Sequence, residues 1–166
     1  YLFEVSQVAK LIPVEAIAKT IDLLYEVKSQ GGRLFVLGVG GSAANASHAV
    51  NDFRKLAEIE SYSPTDNISE ITARTNDEGW KNVFSPWLKT SKLSNIDCVF
   101  ILSVGGGDSV SNISANLCDA IDYARSVGAR ITGIVGRDGG YTAAFANPLI
   151  IVPTVSAESV SYTHLR

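Results

Sequence analysis

RLFVLGVGGSAANASHAV, at residues 33–50, contains a short apolar run, a cluster of glycines and the start of a helical stretch. The run from Arg33 to Val39 is almost continuously apolar, which predicts a strand covered on both faces of a sheet. The glycines that follow allow a tight turn, and a helix is expected from Ala43 to about Ala57. These residues therefore predict one strand–turn–helix unit of an α/β protein.

The same succession of strand, glycine loop and helix recurs nearer the C-terminus. Residues 97–103 (DCVFILS) predict a buried strand, followed by a loop at 104–109 and a helix that runs through Val127. Further strands are predicted at 130–135 and 149–152, with a weaker one at 58–63. Helices are predicted in two pieces at 4–30, with a break at Pro13, and at 80–92, with an interruption near Pro86. This alternation predicts one domain with a parallel sheet covered on both faces.

Composition limits the class of protein and its partners. The 166 residues are 46% hydrophobic, enough for one packed domain, and a net charge of -3 gives no basic field for nucleic acid. The longest apolar runs are far shorter than the roughly 20 residues that cross a bilayer. The two cysteines, Cys98 and Cys118, have no CxxC spacing, which indicates buried thiols and a cytoplasmic location. We therefore expect neither nucleic acid nor membrane as a partner.

The second N-terminal helix has a wide apolar face. Leu23 and Val27 extend that face beyond the stripe formed by its other apolar residues. A face of this width packs either against a partner subunit or within the core of the chain itself, and the sequence leaves both possibilities open.

Both ends of the chain have unusual features. Position 1 is Tyr and the chain contains no Met, so we expect the natural start to lie upstream. Residues 160–166 (VSYTHLR) are similar to a translated sequencing adaptor, so they and His164 are excluded from the functional predictions. The predicted domain spans residues 1–159.

The first glycine loop has the spacing of a dinucleotide-binding turn. Residues 38–43 match G-x-G-x-x-A, and Glu58 or Glu60 follows at about the distance such a fold requires. This motif alone has low specificity, and it leaves the second glycine loop without a role. A P-loop is excluded because no Gly-Lys-Ser/Thr follows either loop, and a hydrolase elbow is excluded because Ala44 stands where glycine is needed.

Two glycine loops after buried strands suit a phosphate monoester. The strands of a parallel sheet end at one edge, where backbone N–H groups and helix N-termini attract anions. Ser42, Ser103 and Ser109 are candidate hydroxyl donors to the phosphate oxygens. The alternative is that both loops are tight turns whose serines cap the following helices.

Two pairs of polar residues are further candidates for catalytic or binding roles. His48 and Asp52 are four residues apart on the predicted helix, so they share a face and are suited to bind a metal ion or to divide a proton transfer. The alternative is a solvated helix face or a local ion pair. Asn76 and Asp77 are candidates to bind sugar hydroxyls, or else they cap a helix.

Four motifs in one order resemble a sugar-isomerase (SIS) domain. They are GVGGSA at 38–43 with His48 beyond it, TARTNDEG at 72–79, the loop at 103–109 and GRDGG at 136–140. The resemblance runs from about Pro13 to Ser156. It implies a flavodoxin-like, doubly wound, five-stranded parallel sheet, a homotetramer, and an aldose–ketose isomerase that converts sedoheptulose 7-phosphate to D-glycero-D-manno-heptose 7-phosphate.

The resemblance also implies roles for individual residues. Substrate and its phosphate would be bound by residues of the two glycine loops and of the motif between them: Val39, Gly40, Gly41, Ser42, Asn76, Asp77, Ser103, Val104, Gly105 and Ser109. His48 would be a zinc ligand. Asp52 stands where the family has a glutamate that is both the base and a metal ligand, so His48 and Asp52 are the predicted catalytic and metal-binding pair.

The chain departs from the family pattern at three places. Asp52 is one methylene shorter than the family glutamate, and a misplacement of that size can cost ~100-fold in rate. The family has Ser-Thr-Ser-Gly-Asn-Ser where this chain has SVGGGDS at 103–109, so two hydroxyls are lost and one residue is added. Asp108 is expected to repel a phosphate unless it points away or meets a metal. The family's C-terminal helix, with a glutamine and a second histidine, is expected to be missing after Ser156.

These departures keep other functions open. We expect the chain as it stands to be inactive, although its parent protein would be an isomerase. A non-catalytic module that binds a sugar phosphate is the first alternative, and a dinucleotide-binding oxidoreductase is the second.

Overall fold

The computed structural model describes residues 2–155, which form an α/β domain around a five-stranded parallel sheet. The strands are β1 (Leu34–Leu37), β2 (Ser61–Tyr62), β3 (Cys98–Ser103), β4 (Arg130–Val135) and β5 (Ile150–Ile151). Their order across the sheet is β2-β1-β3-β4-β5, and all neighbours are parallel. This is the flavodoxin-like order, so the prediction of a doubly wound sheet is confirmed.

Helices cover both faces of the sheet. They are α1 (Leu2–Leu11), α2 (Val14–Ser29), α3 (Gly41–Lys55), α4 (Ile68–Glu78), α5 (Ser85–Thr90), α6 (Ala115–Ser126) and α7 (Gly140–Ala143). Two short 3₁₀ turns, Pro64–Asp66 and Trp80–Asn82, flank α4. None of the helices within residues 2–155 is both long enough and apolar enough to span a bilayer.

The central strands are buried on both faces, which is why their sequences are apolar without alternation. Phe35 and Ile101 point to one face, where they pack into a cluster with residues of α5 and α6. Val36 and Phe100 point to the other face, where they pack with residues of α2 and α3. Neighbouring residues of a strand point to opposite faces, so every position of β1 and β3 is buried.

The N-terminal helices agree with the prediction of two helices separated at Pro13. Val27 is fully buried and Leu23 packs against the same cluster, so these two residues belong to the core of the chain itself. Helix α1, by contrast, has no buried residue. Large apolar side chains are exposed along both helices: Leu2, Phe3, Val5, Leu11, Val14, Ile21 and Tyr25.

Two helix predictions are wrong. The helix expected directly after the second glycine loop begins only at Ala115, because Gly106, Gly107, Asn112 and Ser114 all have positive φ and the chain forms an irregular loop before it. The helix expected at 80–92 is instead a 3₁₀ turn followed by α5. Pro86 lies in the first turn of α5, where backbone N–H groups have no intrahelical acceptor, so the lack of an N–H costs no hydrogen bond there. Pro86 therefore helps to begin a helix and does not interrupt one.

Helix α4 was not predicted from the sequence. Its residues are mostly polar, and none of them is buried. Asn67 caps it, because its side-chain oxygen accepts a hydrogen bond from the backbone N–H of Glu70 at 3.2 Å. An Asn followed three residues later by Glu is the sequence signal of such a helix start.

The amino edge of the sheet is closed by a buried ion pair. Asp97 is 1% exposed and accepts hydrogen bonds from Nη2 and Nε of Arg33 at 2.8 and 3.1 Å, and from the backbone N–H of Ser94 at 2.8 Å. Burial raises the pKa of Asp97, but the hydrogen bonds from Arg33 and Ser94 outweigh it and hold the pKa below its usual value.

The remaining predictions concern the thiols and the C-terminus. Cys98 and Cys118 are buried thiols that form no disulfide, as predicted, and burial raises the pKa of Cys98 to about 12. The predicted tail at 160–166, the domain end at 159 and the helix expected to be missing after Ser156 lie outside the described residues.

Candidate functional site

Two adjoining cavities open at the carboxyl edge of the sheet, where β1, β3 and β4 end. The inner cavity has a volume of about 230 Å³, and its wall includes Val39, Ser42, Ser103 and Ser114. The outer cavity has a volume of about 770 Å³ and extends over the loop after β4. In a sheet of this strand order, the crevice beside β1 and β3 is where ligands bind.

The first glycine loop brings α3 close to the end of β1. A Cβ on Gly38 would lie 2.4 Å from the carbonyl oxygen of Ser42, so only glycine permits this approach. Gly40 has a φ of 61° and precedes α3, and no side chain caps that helix. The predicted residues Gly40 and Gly41 therefore form the turn that places Val39 and Ser42 in the wall of the inner cavity.

The second glycine loop is held by the loop after β4. A Cβ on Gly106 would lie 1.8 Å from the carbonyl oxygen of Gly139, so the two backbones are in direct contact. The backbone N–H and the hydroxyl of Thr142 both donate to the Gly106 carbonyl, at 3.0 and 2.7 Å. The N–H of Tyr141 donates to the Gly107 carbonyl at 2.8 Å. These contacts fix the shape of the cavity wall.

Three serine hydroxyls line the inner cavity. Ser42 and Ser103 are both largely buried, and Ser103 Oγ accepts a hydrogen bond from the N–H of Gly106 at 3.0 Å. That bond uses a lone pair and leaves the hydroxyl proton available to a ligand oxygen. Ser114 stands immediately before α6, and its side chain makes no capping hydrogen bond.

The structure brings together one group of the predicted substrate ligands. Val39, Ser42, Ser103, Val104 and Gly105 all line the inner cavity. The exposed Ser109 lines only the outer cavity. Ser114, which was not among the predicted site residues, lies in the inner wall instead, because α6 begins later than predicted.

The carboxylate of Asp108 is directed into its own loop. It accepts hydrogen bonds from the N–H groups of Val110 and Ser111 at 2.8 and 3.0 Å. Those bonds, that of Ser111 foremost, hold the pKa of Asp108 below its usual value. Asp108 lines the outer cavity and is absent from the wall of the inner one, so it does not face the three serine hydroxyls.

The predicted catalytic pair lies further along α3. His48 Nε2 and Asp52 Oδ2 are 3.3 Å apart, and their side chains are 78% and 46% exposed. Neither residue lines either cavity. Residues 2–155 contain no group of three or more His, Cys, Asp or Glu side chains placed to hold a metal. A catalytic zinc takes three protein ligands, so this pair does not complete a zinc site within those residues.

Asn76 and Asp77 lie in the last turn of α4, where Asn76 Nδ2 donates to Asp77 Oδ1 at 2.7 Å. They therefore do not cap the start of a helix, since Asn67 does so for α4. Both side chains are exposed, and neither lines the two cavities.

Arg137 is the cation of this site. It lies two residues after the end of β4, lines both cavities, and lies against Gly105, where an added Cβ would be 3.4 Å from its Nη1 atom. Arg137 lies in the GRDGG motif at 136–140, but no role for it was predicted from the sequence. Its position two residues after a predicted strand, at the edge where ligands bind, is the sequence signal that points to it.

The fold and the serine-lined cavity define the class of this protein. It belongs to the SIS domain family, whose sequence model matches residues 4–136. Its relatives include phosphoheptose isomerase of Geotalea daltonii, which is 32% identical over 154 residues that make up 90% of this chain and 77% of the relative.

Other relatives support the same family and fold. Lincomycin biosynthesis protein LmbN of Streptomyces lincolnensis is 32% identical over 155 residues, which are 87% of this chain and 54% of LmbN. Among solved structures, phosphoheptose isomerase GmhA from Neisseria gonorrhoeae matches with a TM-score of 0.79 and 26% identity, covering 96% of this chain and 84% of its own.

Proposed function

We propose that this chain is the sugar-phosphate-binding domain of an aldose–ketose isomerase whose substrate is sedoheptulose 7-phosphate and whose product is D-glycero-D-manno-heptose 7-phosphate. The observation that carries the proposal is the inner cavity, where Ser42 at the start of α3, Ser103 at the end of β3 and Ser114 before α6 line one space of about 230 Å³. Serine hydroxyls, together with backbone N–H groups that glycines allow close to the ligand, are suitable hydrogen-bond donors to phosphate oxygens. Relatives named phosphoheptose isomerase support the choice of sugar.

The proposed reaction moves one proton between neighbouring carbons. A base removes the proton from the hydroxyl-bearing carbon next to the carbonyl, which gives an enediol, and returns it to the former carbonyl carbon while a hydroxyl proton moves between the two oxygens. We assign the carbon proton to Asp52 and the transfer between oxygens to His48. His48 lies roughly 9 Å along the helix axis from Ser42, so a phosphate held in the cavity leaves the far end of an extended sugar near this pair.

Ligand binding tests the phosphate site. In a thermal-shift series, sedoheptulose 7-phosphate at 100 times its Kd is expected to stabilise the chain by about 2.7 kcal/mol, and NAD is expected to have no effect. Ser103→Ala should weaken this binding about tenfold, whereas Ser69→Ala, an exposed serine on α4, should leave it unchanged. Stabilisation by NAD alone would contradict the proposal.

The oxidoreductase alternative is disfavoured by the position of its acidic residue. Glu58 and Glu60 both precede β2, so they lie at the amino edge of the sheet, opposite the cavities. Glu60 accepts a hydrogen bond from the Tyr62 hydroxyl at 2.7 Å, and Glu58 pairs with Lys28 at 3.5 Å. A ribose bound at the carboxyl edge would reach neither residue.

A non-catalytic sugar-phosphate module is the second candidate, because His48 and Asp52 do not line the cavity that would hold the phosphate. Turnover separates the two candidates. The isomerase requires that a chain extended to the length of its relatives converts the ketose to the aldose, and that Asp52→Asn abolishes conversion without weakening binding. The module requires binding with no conversion.

We further propose that the protein is a homo-oligomer, a tetramer by its resemblance to the family. The support is the row of exposed apolar side chains on α1 and α2, which includes Phe3, Val14 and Tyr25. Light scattering on a size-exclusion column is expected to give a mass several times 17.7 kDa. Phe3→Glu together with Val14→Glu should reduce that mass, and a monomeric starting protein would contradict the proposal.

A further inference from the structure

Arg137 occupies the boundary between the two cavities. It belongs to the turn Gly136–Gly140 and lines both the inner and the outer space. It is the one Lys or Arg residue in the described walls of either cavity, and its guanidinium lies beside Gly105 of the second glycine loop. A cation here is placed against the same backbone that forms the serine-lined pocket.

Arg137 also differs from every other arginine in residues 2–155. Each of the other five binds a carboxylate, a carbonyl or an aromatic ring: Arg33, Arg54, Arg74, Arg125 and Arg130. Within the same part of the chain, Arg137 makes no hydrogen bond and no ion pair. Its backbone has a φ of 53°, a conformation that residues other than glycine rarely adopt. The fold therefore holds a strained arginine at the cavity without a protein partner.

The carboxylates nearby do not neutralise it. Asp138 Oδ1 accepts a hydrogen bond from the N–H of Gly140 at 3.1 Å, and Asp108 is bound by the amides of its own loop. Both residues line the outer cavity only, whereas the inner wall contains hydroxyls and no carboxylate among its described residues. An anion in the inner cavity thus meets Arg137 without facing either aspartate.

We infer that Arg137 is the charged ligand of the substrate phosphate and sets the preference for phosphorylated over neutral sugars. The inference rests on the proposed function and deepens it. Serine hydroxyls alone cannot balance the charge of a phosphate monoester, while a guanidinium donates two parallel hydrogen bonds to its oxygens. Because Arg137 has no partner within residues 2–155, those donors are free for the ligand as far as the described part of the chain is concerned.

Calorimetric titration of the chain with sedoheptulose 7-phosphate, sedoheptulose and inorganic phosphate tests the inference. Arg137→Gln is expected to weaken binding of both phosphates about 10- to 100-fold and to leave binding of the neutral sugar unchanged. Arg137→Lys should restore part of the affinity, because it keeps the charge but loses the paired geometry. Lys55→Gln is the matched control, since it removes one positive charge at the far end of α3.

Arg137→Gly separates a ligand role from a structural one. Glycine relieves the positive φ, so its Tm should be unchanged or higher by roughly 2 °C while phosphate affinity falls as it does for Arg137→Gln. A lower Tm for Arg137→Gly, together with normal affinity for Arg137→Gln, would overturn the inference and leave the proposed function standing. Failure of the unmodified chain to bind any phosphorylated ligand would overturn both.

Discussion

Arg33 and Arg137 stand at opposite edges of the same sheet, and their surroundings are opposite in kind. Arg33 precedes β1, binds the buried carboxylate of Asp97 through two of its nitrogens, and also donates to two backbone carbonyls. Arg137 follows β4, has a strained backbone, and forms no ion pair within residues 2–155. At the amino edge, the charged groups of Arg33 and Asp97 are hydrogen-bonded to each other. At the carboxyl edge, the guanidinium of Arg137 lines a cavity and has no partner within residues 2–155. Such a division is expected where one edge stabilises the fold and the other binds ligand.

The largest effect on the free energy of unfolding is expected at the amino edge of the sheet. Asp97→Ala should lower the free energy of unfolding by about 4 kcal/mol, because it leaves Arg33 without its carboxylate and the N–H of Ser94 without its acceptor. Urea denaturation measures this change. Asp22→Ala, which removes an exposed carboxylate from α2, should change the value by less than about 0.5 kcal/mol. Equal effects of the two variants would mean that the buried pair does not stabilise the fold.

The next largest effect on stability is expected at the carboxyl edge, where the second glycine loop contacts the loop after β4. Gly106→Ala should destabilise the protein by about 3 kcal/mol, because the new Cβ meets the Gly139 carbonyl and the φ is positive. Gly31 has the same φ of +69° but nothing within 4 Å, so Gly31→Ala isolates the cost of the backbone conformation, about 1 kcal/mol. Thermal unfolding of both variants gives the difference. If the two values agree, the loops are not in the close contact described.

The contribution of Asp97 to the free energy of unfolding is expected to depend on pH. The pKa of Asp97 is lower in the folded chain than in the unfolded one, so its contribution is present above pH ~4 and is lost as the pH falls through the folded value. The stability difference between the unmodified chain and Asp97→Asn should therefore be constant from about pH 7 to 5 and shrink below about pH 4. A difference that grows on acidification would contradict the depressed pKa.

The smallest effect on stability is expected at the exposed pair on α3. His48→Gln should change the free energy of unfolding by no more than about 0.5 kcal/mol, because a contact between two exposed polar side chains contributes little. The same substitution should abolish conversion of the ketose in a catalytically complete protein. A large loss of stability in denaturation would show that His48 has a structural role instead.

Much of the fold was predictable because buried parallel strands have a distinctive sequence. The largely apolar runs that form β1, β3 and β4 can be recognised without tertiary information. Helix α4 was missed because it buries no residue and therefore carries no apolar stripe. The start of α6 was misplaced because four residues with positive φ, two of them not glycine, delay the helix in a way that local propensity does not reveal.

The candidate site was only partly predictable, for a related reason. Ser103 ends β3, and Ser42 lies in the first turn of the helix that follows β1, so their place at the carboxyl edge follows from the order of elements. The place of Ser114 depends on the loop before α6, and that of Arg137 depends on how two loops pack against each other. Spacing along the chain does not encode either contact.

The sequence by itself determined the α/β class, the buried strands, the two glycine loops and the resemblance to the SIS domain family, since periodicity and motif order are local properties of the chain. Tertiary structure alone decided that Ser103 and Ser114 share one cavity and that, among residues 2–155, Arg33 is paired while Arg137 is not. Two arginines have the same chemistry in a sequence. Their difference arises only from which backbone and carboxyl groups the folded chain brings to them.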